Sequence, residues 1–576
     1  MQLTFLSTDS RLVPQAEAIV RQLQEAGYTA YFAGGCVRDA LRQAPVKDID
    51  IATSATPDEV AALFPAQSIG VGKSFGVMLV VLNGISYDVA TFRTDGGYQD
   101  GRHPESITYD TAEHDAQRRD FTVNALFYDP IQQTVIDFVN GVEDLKAGIL
   151  RAIGNPKQRF QEDRLRMLRA IRFATVCKWQ IEPATWRAIC EEAPHLMCVS
   201  YERIYIEFTR MLCEAADPGE CLNLLRTSKL LRQFFRELCH LYGCLQDPHW
   251  HPEGDVWQHT VKMLQLIPAP RDPELVWAVL LHDIGKPKTL IVETKPDGSP
   301  WYRTPSHAAV GARMVEPILR RFKASNERIE RITTAVRYHM QFVEIQKMRT
   351  SSLRQMLGRP TIELELALHR LDCLSSHSKL DLYEYAKEAL AKFVNEPILP
   401  PPALTGKDLV AMGYHPSPVF GRLLKKAYTQ QLEGATREQL LCRALDASPT
   451  PSNRAKRIAF LVDRNDVLPC PQAWESRLKH SNWQVTLIQL PGLYWEDEGD
   501  AHLTQTTDAF TPTQTGETIH FDPAKTYDKA QIVRLVTNCA GNVDYPPART
   551  YDLLIHHAST PLSEELRALA KHLIAY

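Results

Sequence analysis

GGCVRDALRQAPVKDIDIAT, residues 34–53, is the stretch from which the rest of the chain is read. Upstream, residues 12–27 carry apolar positions at helical spacing and stop at Gly27, and TAYFAGG (29–35) rises as a short apolar strand into Gly34 and Gly35. Downstream, Asp48 and Asp50 stand two residues apart on a predicted strand. Both carboxylates then project from one face while Ile49 and Ile51 point to the other. Hard oxygen ligands on a rigid strand suit Mg²⁺, which keeps waters and takes its remaining ligands from phosphates. A D-x-D alone is more often an ordinary strand-edge or turn pair. Here Gly34 and Gly35 let backbone amides approach a phosphate and Arg38 adds a permanent charge, so the run is more specific than either half.

Working outward, DIDIAT, VMLVVLNGISYDVATF and ALFYDP with TVIDFV read as strands of a mixed sheet, an α/β head over residues 1–141. Helical patterns follow, RFQEDRLRMLRAIRFATVC as one helix and SYERIYIEFTRML as another, giving a helical neck and body over 142–245. A second helical block, 246–380, carries most of the notable histidines, and a helical tail, 381–447, contains EPILPPPAL, whose prolines cannot continue a helix. ASPTPSNRAKR (447–457) reads as a linker, and strand and helix alternation returns over 455–576, with PLSEELRALAKHLIAY as the closing helix. That last segment has no Gly-rich phosphate fingerprint, and His556 and His557 at a strand end read more readily as structural than as ligands.

At 576 residues the chain exceeds a single core, and 44% hydrophobic with 23% charged residues exclude a disordered or fibrous protein. A net charge of −4 disfavours non-specific coating of nucleic acid. The 12 cysteines form no C-x-x-C pair and read as core thiols in a reducing compartment. MQLTFLSTDSR lacks the pattern of a signal peptide and no apolar run is long enough for a bilayer, so the expectation is a cytoplasmic protein without a membrane partner.

GGCVRD with KDIDIAT, then IGVGKSFGVMLV, SYDVATFR, RRDFTVNAL and EDRLRMLRAIRFA, resembles the motif series of bacterial tRNA nucleotidyltransferases and poly(A) polymerases, over about residues 15–445. The resemblance implies a multidomain α/β plus α protein: a polymerase-beta-like nucleotidyltransferase head, helical neck and body, helical HD domain, and an extra C-terminal α/β domain. It implies metal ligation by Asp48 and Asp50. Asp88, on a neighbouring strand, is either a third carboxylate of that site or an ordinary strand residue. Arg118, Arg119 and Asp120 resemble the motif that contacts nucleotide sugar and triphosphate, with Asn124 a turn later. Asp163 and Arg166, within the EDxxR motif, would sit side by side on one helix and read cytosine and adenine by accepting from the exocyclic amine and donating to ring acceptors. A routine intrahelical ion pair is their structural alternative.

SFGVMLV is similar to the version in tRNA-processing members, and TDGGYQDGRHPESITYD (94–110) resembles the loop associated with terminal A addition. The expected activity is template-independent addition of C, C and A to tRNA from CTP and ATP; the alternative is a poly(A) polymerase or A-adding enzyme. Lys425 and Lys426, in a segment resembling the family's tail, are either phosphate contacts or a solvated helix face.

His259, His282 with Asp283, and Asp372 match the order of HD-type phosphohydrolases, and His307 and His339 supply the extra histidines of two-metal versions. Imidazole with carboxylate binds a divalent transition metal and can activate water toward a phosphoester. Two readings compete for this block, an active phosphohydrolase and a metal-binding body that supports tRNA.

Overall fold

The computed structural model describes residues 3–65, 67–69, 76–96, 107–393, 397–411, 418–437, 439–440 and 444. Beyond these it describes six strand segments, 456–463, 483–490, 494–495, 501–502, 553–556 and 573–575. The IGVGKS segment after Ile69 and most of the 94–110 loop, with the 447–457 linker up to residue 455 and His557, lie outside the described residues. Two compact units emerge: Met1–Gln346 with Pro360–Glu388, and Lys347–Arg359 with Ala389–Tyr576.

In the first unit, helix α1 (Leu12–Glu25) buries Leu12, Ala16, Ile19, Val20 and Leu23, the stripe its periodicity predicts. It covers a seven-stranded sheet of β1 (Ala30–Ala33), β2 (Asp50–Thr53), β3 (Ser68–Ile69), β4 (Val77–Leu82), β5 (Ile85–Thr91) and two later strands. A short pair, β6 (Arg93–Asp95) with β7 (Ile107–Tyr109), flanks the glycine-rich loop. After β8 (Phe127–Asp129) and β9 (Thr134–Ile136) the order is β3-β4-β5-β2-β1-β8-β9. Only β2 and β5 pair in parallel; the other neighbours are antiparallel, as a mixed sheet requires. Asn83 and Gly84 close the β4–β5 hairpin with φ of +47° and +81°, the left-handed geometry for which Asn-Gly is suited. Helices α2 (Gly35–Leu41), α3 (Pro57–Leu63), α4 (Ala112–Gln117) and α5 (Gly141–Ala147) complete the head. Thr56 and Glu59 form a reciprocal capping box that starts α3.

The helix expected to run unbroken from Arg159 to Cys177 is two helices, α6 (Pro156–Glu162) and α7 (Leu165–Cys177). Asp163 interrupts them with φ −141° and ψ 107°, and its Oδ1 accepts the Leu165 amide at 3.0 Å. A short polar side chain that satisfies a helix-start amide competes with continued helix. After α8 (Pro183–Glu192) and α9 (Tyr201–Glu214) the elements up to residue 281 are all helices, interrupted by a non-helical stretch over 241–255, in one apolar core from Phe121 to Leu371. Trp277 stacks between Tyr205 (5.1 Å between ring centroids) and Phe235 (5.9 Å), so the sequence position 245/246 marks no break in that core.

Among the described residues, three departures from the helical expectation are strands. In the neck, Ile149–Leu150 pairs in parallel with Gln180–Ile181. Ile291–Thr294 and Pro300–Arg303 form an antiparallel hairpin inside the histidine block, with Gly298 at φ +83° after Asp297. Asp-Gly between two short β-prone runs carries that signal, and the helical reading overlooked it. Leu573–Ala575, read as the end of a helix, pairs in parallel with Leu554–His556.

In the second unit, helix Thr350–Leu357, which the sequence placed inside the 246–380 block, packs with helix Pro418–Leu432, and Ser351 hydrogen-bonds Glu433. Lys425 and Lys426 are exposed on the latter helix. Strands 483–490, 456–463, 553–556 and 573–575 lie in that order, all parallel, in a four-stranded sheet.

Candidate active site and metal centre

Strand β2 begins at Asp50; Asp48 lies in the extended run before it, with Ile49 and Ile51 buried between exposed carboxylates. The parallel register Ile51 to Val89 sets Asp50, the first residue of β2, beside Asp88 in the middle of β5. Asp48, Asp50 and Asp88 therefore share one neighbourhood, near enough for the charges of two to act on the third. Surrounding protein atoms, then the charges of Asp48 and Asp88, push the Asp50 carboxyl up to about 6, while Arg119 opposes the rise. Asp50 still reaches solvent, on the side open to a cation and a phosphate. Crowded hard-oxygen donors are what Mg²⁺ requires.

Gly34 faces this site from the end of β1, at φ +73°. A Cβ there would stand 2.9 Å from Arg119 Nη1, so glycine is required by both backbone and neighbour. Gly35 opens α2. Arg38, buried, donates to Asp39 at 2.7 Å and to Asn124 Oδ1 at 2.6 Å, so its charge is engaged within the protein. Asn124 passes the contact on to Asp120 Oδ1 at 3.0 Å, and Asp120 Oδ2 accepts from Arg169 of α7 at 2.9 Å. Burial opposes ionisation of Asp120, yet Arg169 and Asn124 together hold it down to about 2. The chain Arg38–Asn124–Asp120–Arg169 thus ties head to neck.

Asp115 is a residue that sequence reasoning missed. Buried in α4, it gives Oδ1 to Arg118 at 2.7 Å and Oδ2 to Arg119 at 3.0 Å. One carboxylate holds both arginines of the triphosphate motif, and Arg119 also stacks on Phe127. Three- and four-residue spacing on α4 carried this signal.

Asp163 and Arg166 do not pair with each other through their side chains. Arg166 Nη1 reaches Glu162 at 2.7 Å, whereas Asp163 Oδ2 is met by Arg203 Nη2 of α9 at 3.0 Å. The intrahelical ion pair of the structural alternative is absent, because Asp163 lies at the break between α6 and α7.

Among the described residues the histidine block assembles three groups, His251, Glu253 and His259, then His259, His282 and Asp372, and then Asp283, His307 and His339. His282, His307 and His339 each donate Nδ1–H to the carbonyl three residues earlier, Val279, Thr304 and Val336, at 2.8, 2.8 and 2.7 Å. The second ring nitrogens are then the Nε2 atoms, which carry a lone pair in a neutral ring. Those of His307 and His339 lie 3.1 Å apart, and burial before all else lowers both rings, His339 to about 3, which keeps them neutral. Two lone pairs at that separation call for a cation. His259 Nδ1 is held by Glu253 at 2.6 Å, and its Nε2 lies 3.1 Å from Asp372 Oδ1. Burial lowers the His259 pKa, but Asp372 and Glu253 outweigh it and raise the ring to about 9, a proton standing where a metal would. Glu253, which the sequence reading left without a role, also accepts from His251 at 3.0 Å. Lys286 Nζ lies 2.7 Å from Asp283 Oδ2 and donates to Gln246 at 2.8 Å.

Residues 30–151 match the Poly A polymerase head domain family, 179–241 the family of the probable RNA and SrmB-binding site of polymerase A, and 255–376 the HD domain family. The CCA-adding enzyme of Lactobacillus delbrueckii subsp. bulgaricus is 33% identical over 433 residues, 74% of this chain and 94% of that enzyme. That of Limosilactobacillus fermentum is 42% identical over 217 residues, 38% of this chain and about half, 54%, of that enzyme's length. The crystal structure of the Bacillus stearothermophilus CCA-adding enzyme in complex with CTP aligns at a TM-score of 0.57 and 27% identity, covering 76% of this chain and 98% of that one. No helix of the described residues is long and apolar enough to cross a membrane.

Proposed function

This chain belongs to the CCA-adding enzymes, and from that membership we propose that it adds C, C and A to the 3′ end of tRNA, using CTP and ATP without a nucleic-acid template. The observation that carries the reading is the shared neighbourhood of Asp48, Asp50 and Asp88 beside Gly34 and Arg119. The tRNA 3′ hydroxyl attacks the α-phosphate of the nucleotide and pyrophosphate leaves. Bound Mg²⁺, held by Asp48 and Asp50 with Asp88 beside them, would offset the charge that develops on the phosphate. Arg118 and Arg119, fixed by Asp115, orient the triphosphate. Asp163 and Arg166 select the base by the order of donors and acceptors that cytosine and adenine share and uracil and guanine reverse. The related Bacillus stearothermophilus enzyme was solved with CTP, in keeping with this substrate.

Incubating tRNA that lacks its 3′ CCA with labelled CTP and ATP tests the proposal. Incorporation of both is expected. Failure to incorporate CTP would exclude CCA addition and leave the polyadenylating or A-adding alternative.

The histidine block supports a second activity, metal-dependent hydrolysis of phosphoesters at RNA ends. Its donors fit borderline divalent metals, because the Nε2 atoms of His307 and His339 lie 3.1 Å apart beside the Asp283 carboxylate, with His259, His282 and Asp372 grouped next to them. A metal held there would lower the pKa of water. Hydrolysis of 2′,3′-cyclic AMP, water opening the ring at one P–O bond and phosphate then being released, is expected with added divalent metal in the native chain and lost in His282→Ala. Equal rates in the two would sink this reading.

A further inference from the structure

The two proposed base readers are held by different means. Arg166, nine-tenths buried, is anchored three ways: Nη1 donates to the Glu162 carboxylate at 2.7 Å and the Arg159 carbonyl at 3.1 Å, and Nη2 to the Arg118 carbonyl at 3.0 Å. Its plane is fixed by its own helices and the adjoining head. Asp163 has one local contact, the Leu165 amide on Oδ1 at 3.0 Å. Its other side-chain partner is Arg203, from α9 and 40 residues away, whose Nη2 lies 3.0 Å from Oδ2 and 3.4 Å from Oδ1.

A carboxylate turns about a broad, two-fold terminal torsion, so one amide contact leaves its plane loosely defined. A second contact from another helix closes that freedom. Two oxygens offer about four acceptor sites, and the Leu165 amide and Arg203 leave room for one amine. Because Arg203 sits on a different element, packing of α9 against α7 sets the angle at which Asp163 meets a base.

We propose that Arg203 is the positioning residue that orients the Asp163 carboxylate toward the exocyclic amine of cytosine and adenine, and that it thereby determines base specificity. The proposal rests on the reading of Asp163 and Arg166 as base selectors. Uracil presents a carbonyl where cytosine presents an amine. A fixed carboxylate repels that carbonyl, whereas one free to turn away tolerates it. Arg203 touches no reacting atom, so its loss acts on nucleotide affinity and discrimination more than on turnover.

Steady-state incorporation of CTP and UTP into tRNA lacking CCA, compared among the native chain, Arg203→Ala, Arg203→Lys and Asp163→Ala, decides the matter. Arg203→Ala is expected to raise the KM for CTP about tenfold with kcat within about twofold, and to lower the CTP over UTP preference about tenfold or more. Arg203→Lys should recover part of the preference, since its point charge replaces the guanidinium without the fork. Thermal midpoints report folding, and should the alanine variant fail to fold, the lysine variant carries the comparison. Unchanged preference in the Arg203 variants while Asp163→Ala loses it would overturn the role of Arg203. Unchanged preference in Asp163→Ala as well would overturn the base-reading assignment itself.

Discussion

His307 Nε2 and His339 Nε2 face each other at 3.1 Å, each ring having committed its Nδ1–H to a backbone carbonyl. Neither atom has a proton to offer the other. A divalent cation between them and Asp283 would turn this repulsion into ligation. Added Mn²⁺ or Zn²⁺ is therefore expected to stabilise the first unit, by about 2.7 kcal/mol at a hundred times the dissociation constant. Differential scanning calorimetry with and without chelator reads this as a shift of the midpoint. His339→Ala should abolish the shift, and a native chain whose midpoint ignores the metal would count against the site.

Glu253 accepts from His251 and His259 together, at 3.0 and 2.6 Å. Orienting partners of this kind change metal affinity about 10- to 100-fold when removed. Glu253→Ala is expected to weaken metal binding in that range, measured by titration calorimetry, while CTP incorporation stays near the native rate. Native affinity in the variant would remove Glu253 from the metal centre.

Asp115 lies buried between two arginines that are about a fifth exposed, at 22% and 21%. Replacing it by Asn keeps the shape and deletes the charge. Loss of one partner from such a cluster costs about 3 to 5 kcal/mol. On the proposed role of Arg118 and Arg119 in holding the triphosphate, the KM for both CTP and ATP should rise together. A change confined to one nucleotide would place these arginines elsewhere.

Trp277 lies stacked between Tyr205 and Phe235 in a core that runs from the neck to the last helix of the histidine block. Trp277→Ala is expected to cost about 3 to 5 kcal/mol. Hydrogen exchange should show protection falling on α9 and on Pro273–Leu281 alike, because the two share one core. Loss limited to residues 246–380 would mean that the histidine block folds separately.

The head, with Ala30–Ala33 before Asp50–Thr53, and the proximity of Asp48 and Asp50 were legible in the chain because their signals are local. Alternation around Ile49 and Ile51, the Gly34–Gly35 turn and the helical stripe of α1 span a few residues each, and covalent spacing alone puts their side chains on the right face. The histidine set was legible as an inventory: identities and order follow from the motif. The Asp297–Gly298 hairpin was equally local and was missed because the surrounding helices dominate the pattern.

Partner choice had no such local signal. Asp163 and Arg166 look like a pair three residues apart, yet the helix breaks at Asp163 and each turns to another partner, Arg203 and Glu162. Asp372 meets His259 across 113 residues at 3.1 Å, and His307 meets His339 across 32 at 3.1 Å. Asp115 and Glu253, which orient the functional side chains, carry no motif of their own. Residue type and short-range spacing are written into the polymer. Which distant groups become neighbours depends on how Trp277, Tyr205 and the other buried side chains fill one core, a property of the whole packed chain. Composition and motif thus specify the chemistry available to this protein, and packing specifies the direction in which each group is aimed.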